Sequence, residues 1–246
     1  MIKRLFILMM LALLALIFVQ LASSYTENSS LSKLGRYYVE QGPRELGAAN
    51  LVTAVVVTYR GLDTLGEVTV LFISAAGVGL LLRRTRRKDD KEDLERGDLA
   101  EEASGTHKPA SEIVTTATQL LLPMVMLLGI YVFLNGHLSP GGGFQGGAII
   151  ASGTMFLLLA LPQSHISRLL VAATESLSGF SYVVVGVLGV FMAGGFLDNR
   201  ILGLGTYGSL FSAGAIPLIY TLVGFKVGFE LSAVLDRFRK DDTGPV

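Results

Sequence analysis

Apolar residues along this chain gather into long runs separated by short polar stretches. Six runs stand out: Leu5 to Ala22, Leu65 to Leu82, Ile113 to Leu134, Gly147 to Leu161, Tyr182 to Leu197 and Leu210 to Leu235. A bilayer core of about 30 Å is crossed by roughly 20 helical residues. Each run therefore predicts a membrane-spanning helix, and the whole predicts an all-α, polytopic fold of about six transmembrane helices. The fourth and fifth runs are short, so their helices are expected to extend into the flanking polar residues. The first run follows Lys3 and Arg4 in the manner of a signal peptide. Its apolar stretch is long for a leader, however, and Ala22-Ser23-Ser24 makes a weak cleavage site. A retained helix is expected.

Between the second and third runs the pattern breaks. Arg83-Arg84-Thr85-Arg86-Arg87-Lys88 is followed by Asp89-Asp90, Glu92-Asp93 and Glu101-Glu102. Such a stretch cannot bury enough apolar area to fold by itself. It reads as a solvated tether, giving a two-helix module at 1–82, a charged cytoplasmic linker at 83–111 and a four-helix module at 112–246.

Lys and Arg in short loops mark the cytoplasmic side. Six spans bring the start of the chain, the 83–88 cluster, Arg168 and Arg237-Phe238-Arg239-Lys240 to that side together, so both termini are cytoplasmic. One missed helix would break this agreement. Residues 23–64, the loop 135–146 and the loop near Asp198-Asn199-Arg200 then face outward.

Composition sharpens the membrane reading. The chain is 51% hydrophobic and 16% charged, with a mean hydropathy of +0.56, well outside the range of soluble domains. It has no cysteine, which excludes cysteine-ligated clusters, thiol catalysis and disulfides within it. His107, His137 and His165 lie in three different segments, without the i, i+4 pairing of a helical metal site. No metal or other cofactor is expected. A net charge of zero gives no basic footprint for nucleic acid. Glycine is plentiful in the second module. Gly186, Gly189, Gly194 and Gly195, together with Gly147-x-x-x-Ala151 and Ala148-x-x-x-Ser152, suit close packing of helix backbones.

The stretch His137-Leu138-Ser139-Pro140-Gly141-Gly142-Gly143-Phe144-Gln145-Gly146-Gly147 places flexible backbone between two spans. Hydrocarbon tolerates such backbone only where protein or water covers it. Gly141-x-Gly143-x-x-Gly146 matches a dinucleotide-binding string, but that string needs a strand before it, and here a long apolar helix precedes it. A turn is the better reading. Pro140 stops the preceding helix, Gly141, Gly142 and Gly143 are free to take positive φ, and Phe144 anchors the turn. His137 is either a proton carrier near neutral pH or an idle surface histidine.

Charged groups at the span edges supply the candidate chemistry. Asp63 and Glu67 stand four apart at the outer start of the second span and could handle a cation. Thr64-x-x-Glu67 also reads as a capping box, in which acids suit the helix dipole. Residues 50–59, apolar and β-branched, are too short to span and suit either a re-entrant piece or a surface strand. Lys226 and Glu230 are an i, i+4 pair in the last run. Counted from Leu210, Lys226 lies about 24 Å along the helix, near its cytoplasmic edge, so a snorkelling pair and a functional pair are both open. Pro217 removes one backbone donor and could kink that helix. Glu175 precedes the fifth run and reads as interfacial; an earlier helix start would make it an intramembrane acid.

Taken together, these phrases resemble a known family. Residues 113–235, with Gly136 to Gly147 and Val223-Gly224-Phe225-Lys226-Val227-Gly228, resemble the B-type (MnhB-like) subunit of Mrp-type multisubunit sodium/proton antiporters. Phe229-Glu230 departs from a more apolar pattern there. Residues 45–82, with Asn50-Leu51-Val52-Thr53-Ala54 and Tyr59-Arg60-Gly61-Leu62-Asp63-Thr64-Leu65-Gly66-Glu67, resemble the C-terminal part of the large A-type subunit. The same modules occur in membrane-bound hydrogenases. The resemblance implies a component of the cell membrane that works with other membrane subunits, moves Na⁺ and H⁺ and catalyses nothing itself. It matches Asp63 and Glu67 to an acidic motif implicated in cation handling, and Pro140 and Phe144 to the loop of the B-type subunit. The alternative it leaves open is a subunit of a redox-driven complex.

Overall fold

The structure is a computed structural model that describes residues 2–25, 30–96, 110–161 and 166–242. His107, His165 and the linker stretch 97–109 lie outside the described residues. The elements are α1 (Ile2–Ser24), α2 (Lys33–Leu46), α3 (Leu51–Ala54) running into a π turn (Val55–Tyr59), α4 (Gly61–Arg96), α5 (Glu112–Leu134), α6 (Gly143–Ala160), α7 (Arg168–Met192), a 3₁₀ turn (Asn199–Ile201) and α8 (Ile216–Asp242). There is no strand among the described residues. Among the described residues, six helices are long and apolar enough to cross a membrane: α1, α4, α5, α6, α7 and α8. The protein is a multi-pass, all-α membrane protein.

The chain forms two compact units. The first, Met1–Tyr37, holds α1 and the start of α2. The second, Tyr38–Val246, holds everything else and is organised around α8, which packs against α4, α5, α6 and α7. Ile216, Ile219, Tyr220, Val223 and Val227 of α8 are buried against Val57 of the π turn, Val68 of α4 and Tyr182 of α7. Small residues set how closely these helices approach. A Cβ on Gly147 would lie 2.8 Å from the Gly224 carbonyl oxygen, so α6 and α8 meet backbone to backbone there. A Cβ on Gly146 would meet the Gly129 carbonyl oxygen at 2.6 Å, so α5 and α6 do the same. In lipid, where apolar burial gives little drive for association, such contact is what holds helices together.

Several boundaries differ from the hydropathy runs, each for a local reason. The fifth helix starts at Arg168, well before Tyr182, because the Ser167 hydroxyl caps it by accepting from the Leu170 N–H. It stops at Met192, so Gly194 and Gly195 belong to a loop and not to the helix. That loop folds back on α7, where Gly186 and Gly189 leave room for Phe196 and the Gly195 carbonyl. The sixth helix starts at Ile216 and not at Leu210. Pro217 therefore sits in its first turn, where a missing N–H costs nothing, and does not kink the helix. Helix α4 runs past Leu82 into the charged stretch as far as Arg96.

The Pro–Gly loop also works differently from the sequence expectation. None of Gly141, Gly142 or Gly143 is left-handed; the left-handed glycines among the described residues are Gly47, Gly205, Gly208 and Gly214. The loop glycines instead let it seat tightly. A Cβ on Gly141 would lie 2.8 Å from the Val132 carbonyl oxygen, and one on Gly143 2.7 Å from Val223. Phe144 packs against the core, as the anchor reading expects.

Residues 50–59 form a short helical segment, not a strand, and it locks the loop. Asn50 caps α3 by accepting from the Val52 and Thr53 N–H groups. Its side-chain amide donates to the carbonyls of Gly136 and Ser139, each at 2.9 Å. The Thr53 hydroxyl donates to the Gly136 carbonyl at 2.6 Å, and the Tyr220 hydroxyl donates to the Thr53 oxygen at 3.0 Å. Replacing Asn50 with Ala removes the cap and leaves two loop carbonyls unpaired. The expected cost is about 2 kcal/mol, read as a lower unfolding midpoint of the detergent-solubilised complex. An unchanged midpoint would mean that the lock contributes nothing.

Candidate functional site

The unusual chemistry of this membrane bundle lies on the facing sides of α7 and α8. With α8 beginning at Ile216, Lys226 stands about 15 Å along the helix axis from Ile216 and about 20 Å from Arg239. That is close to mid-span, not at the cytoplasmic edge. The earlier start of α7 likewise places Glu175 within a span, about 9 Å in from Leu169. Lys226 Nζ lies 3.2 Å from Glu230 Oε2 and 3.8 Å from Glu175 Oε1. Lys226 is buried and Glu230 is 1% exposed. The ammonium also lies over the Phe72 ring of α4, 5.1 Å from its centroid, a favourable contact for a partly desolvated cation. A Cβ on Gly179, one turn beyond Glu175, would lie 3.7 Å from Lys226 Cδ, so α7 meets the Lys226 stem there at ordinary contact distance. Further along α8 towards Arg239, the Arg237 guanidinium donates to the Ala75 carbonyl at 3.0 Å. It thereby ties α8 to α4.

Three helices thus converge on one cation and two carboxylates inside the bundle. A half-paired acid is held there, because Glu230 Oε1 is buried and has no hydrogen-bond partner. Charges at this depth are costly unless paired, and they mark ion pathways. Snorkelling does not account for a lysine whose ammonium points into two acids.

Asp63 and Glu67 are placed elsewhere. Both are exposed, on the first two turns of α4, and Asp63 is ion-paired with Arg60. The capping box is not formed. Thr64 is inside the helix, and its hydroxyl donates to the Val56 carbonyl at 2.8 Å.

His137 is not a surface residue. It is fully buried, with Nε2 3.4 Å from the Ser209 carbonyl and Nδ1 without a partner. Burial pushes its pKa below the ordinary 6.5, against the raising effect of nearby backbone carbonyls. Its neutral form is therefore the folded one. Below about pH 6.5 the unfolded chain takes up a proton that the folded chain resists, so stability falls as pH drops from 6.5 towards the folded value. The variant His137→Gln is expected to flatten this acid dependence of the unfolding midpoint. An identical pH dependence in both forms would refute the assignment.

The loop 193–215 carries features that sequence reasoning missed. Asn199 is fully buried and donates to the carbonyls of Leu46 and Ala213. Asp198 is held below the usual carboxylate range, first by its side-chain bond with Arg200. Leu197 and Ala213 adopt positive φ despite their side chains, a strained arrangement that the surrounding packing maintains. No hydrophobic periodicity marks these positions. The spacing Tyr220, Val223, Val227, Glu230 on one helix face is the signal by which the α8 cluster is recognisable.

Comparison with known proteins shows what this chain is similar to. Residues 113–233 match the family described as a domain related to the MnhB subunit of Na⁺/H⁺ antiporters, and residues 4–96 match the MbhE family, the E-type subunit of MBH. A chain in the structure of the membrane-bound sulfane sulfur reductase (MBS), an archaeal respiratory membrane complex, superposes with a TM-score of 0.77 at 38% identity. The match covers 97% of this chain and 98% of that one. The chain joins an MnhB-related domain to an MbhE-type segment. This MnhB-related chain is also similar to a chain in the Mrp complex from Dietzia sp. DQ12-45-1b, with a TM-score of 0.76 and 28% identity. There the match covers 98% of this chain but 26% of the Dietzia one. A probable K⁺/H⁺ antiporter component of A/B type from Rhizobium meliloti is 34% identical over 130 residues, 49% of this chain and 13% of that protein.

Proposed function

We propose that this MnhB-related chain is a membrane subunit of a multisubunit cation/proton antiporter complex, and that Glu175, Lys226 and Glu230 are its station on the ion path. The observation that carries this reading is the Lys226 ammonium between two acids near mid-span, with Glu230 Oε1 unpartnered. A carboxylate in low dielectric gains by taking up a positive charge and loses by releasing it. That property suits reversible loading. Lys226 keeps one charge balanced while the other acid loads.

Asp63 and Glu67, exposed at the outer end of α4, suit an access position. His137 and the Pro140–Phe144 loop serve the outer closure and not the path itself. The chain supplies no catalytic residue and needs no cofactor; Na⁺ and H⁺ are cargo. Its partners are other membrane subunits, and its place is the cell membrane with both termini cytoplasmic.

One observation favours a second reading. The match to the sulfane sulfur reductase chain runs almost end to end, and the MbhE match covers the first module. In that reading the same path belongs to a redox-driven complex. Two measurements separate the possibilities. Glu230→Gln in the assembled complex is expected to lower cation/proton exchange in inverted vesicles at least tenfold; normal exchange would leave a scaffold role only. Proteins that co-purify with the tagged chain then decide the driver. An iron–sulfur or nickel–iron subunit among them would establish the redox-driven reading.

A further inference from the structure

We propose that the α7–α8 station binds a proton and excludes alkali cations, with Lys226 as the resident cation that sets this specificity. The inference rests on the ion-path reading above and names the ion for this one station.

Two features of the cluster decide the ion. The first is the ligand count. Hard cations are held by several oxygen ligands at once. Around Lys226 the acidic oxygens come from only two side chains, Glu175 and Glu230. Among the described residues, no group of three or more acidic or imidazole side chains converges. On α8 the Ser232 hydroxyl is already committed. Ser232 donates to the Gly228 carbonyl at 2.6 Å and lies 3.1 Å from the Thr154 hydroxyl.

The second feature is the ammonium itself. An alkali ion bound to either carboxylate would sit within a few ångströms of Lys226 Nζ, in a buried setting where like charges repel strongly. A proton meets neither obstacle. It forms one O–H bond to Glu230 Oε1, the oxygen without a partner, and needs no further ligand. Neutral Glu230 then holds Lys226 less firmly, and Glu175, 3.8 Å from the ammonium, takes a larger share of it. Release of the proton reverses the exchange. No electron moves, and the proton is the cargo of the transport.

The charged groups around the pair are consistent with this cycle. From α7 comes Glu175. From α8 comes Arg237, whose guanidinium is committed to the Ala75 carbonyl. Helix α4 offers Phe72 and the Ala75 carbonyl. Helix α6 contributes no titratable side chain. With Lys226 bound, the two acids carry one unbalanced negative charge, matched by one proton.

The test uses Glu175→Gln in the assembled complex in inverted vesicles, with exchange rate, pH profile and KM for Na⁺ measured at matched protein abundance. Lys226→Arg, which keeps the charge, is measured in parallel and carries the reading if Glu175→Gln abolishes turnover. The expected result is a pH midpoint moved by at least 0.5 with KM for Na⁺ unchanged within threefold. A KM for Na⁺ changed more than threefold, whatever the pH profile does, overturns the proton assignment and leaves the ion-path reading standing. A reduced rate with an unmoved midpoint also overturns it. A normal rate with midpoint and KM both unmoved removes the ion-path reading itself.

Discussion

Replacing Lys226 with Ala is expected to destabilise the protein by about 3–5 kcal/mol, the range for removing one partner of a buried ion pair. Glu230 is 1% exposed, and its second oxygen already lacks a partner. Without Lys226, its first oxygen also loses its ammonium. Little assembled complex should accumulate, and what does should unfold at a lower temperature in detergent. Replacing both members, Lys226→Met with Glu230→Met, removes the charges along with their desolvation cost. Stability should then return to near the parent level or above it, while exchange stays lost. That split between recovered stability and lost transport separates an ion-path role from a structural one. If the double replacement exchanged ions normally, the pair would be structural. If it were as unstable as Lys226→Ala, the cost would lie in packing and not in the stranded charge.

Gly147→Leu is the second change expected to have a large effect. Any Cβ here would lie 2.8 Å from the Gly224 carbonyl oxygen and from Val227 Cβ, and 2.9 Å from the Gly228 nitrogen. Two of these are backbone atoms, which cannot turn aside. Even Ala should cost about 1–3 kcal/mol by overpacking, and Leu should drive α6 off α8 and prevent assembly. The control is Gly77→Ala in α4, where nothing lies within 4 Å; there the change should be neutral or stabilising, since Ala is the better helix former by about 1 kcal/mol. Equal losses at both positions would mean that glycine content, and not this contact, is what matters.

The contrast between these two sites bears on what the sequence reveals. Six spans were legible because lipid imposes a length and an apolar composition that few other environments demand. The helix ends were less legible, and they decide the chemistry. Moving the start of α8 from Leu210 to Ile216 carries Lys226 from the membrane edge to mid-span. Starting α7 at Arg168, with Ser167 as its cap, brings Glu175 into the bundle beside it. Hydropathy averages over such ends because a cap is one residue and a loop that folds back, like 193–198, can be as apolar as a helix.

The Pro–Gly phrase was conspicuous in the sequence, but its mechanics were not. Its glycines serve close approach to Val132 and Val223 and not positive φ, because the turn is held from outside by Asn50 and Thr53. Those partners are more than eighty residues away in sequence, beyond the reach of any local pattern. His137 was equally ambiguous. Its burial depends on the 209–213 loop, which no periodicity announces.

Access of water to the α7–α8 face is the most direct test of the central claim, that the Glu175–Lys226–Glu230 cluster lies on a passage used by ions. The chain has no cysteine, so Gly179→Cys introduces the only thiol in this chain. The new side chain would meet Lys226 at ordinary contact distance, 3.7 Å from Cδ. In sealed vesicles containing the assembled complex, a small membrane-impermeant thiol reagent should label this band from one side, and labelling should slow ion exchange. A thiol that stays unmodified until the membrane is dissolved would contradict the account, because the cluster would then be sealed within protein and lipid.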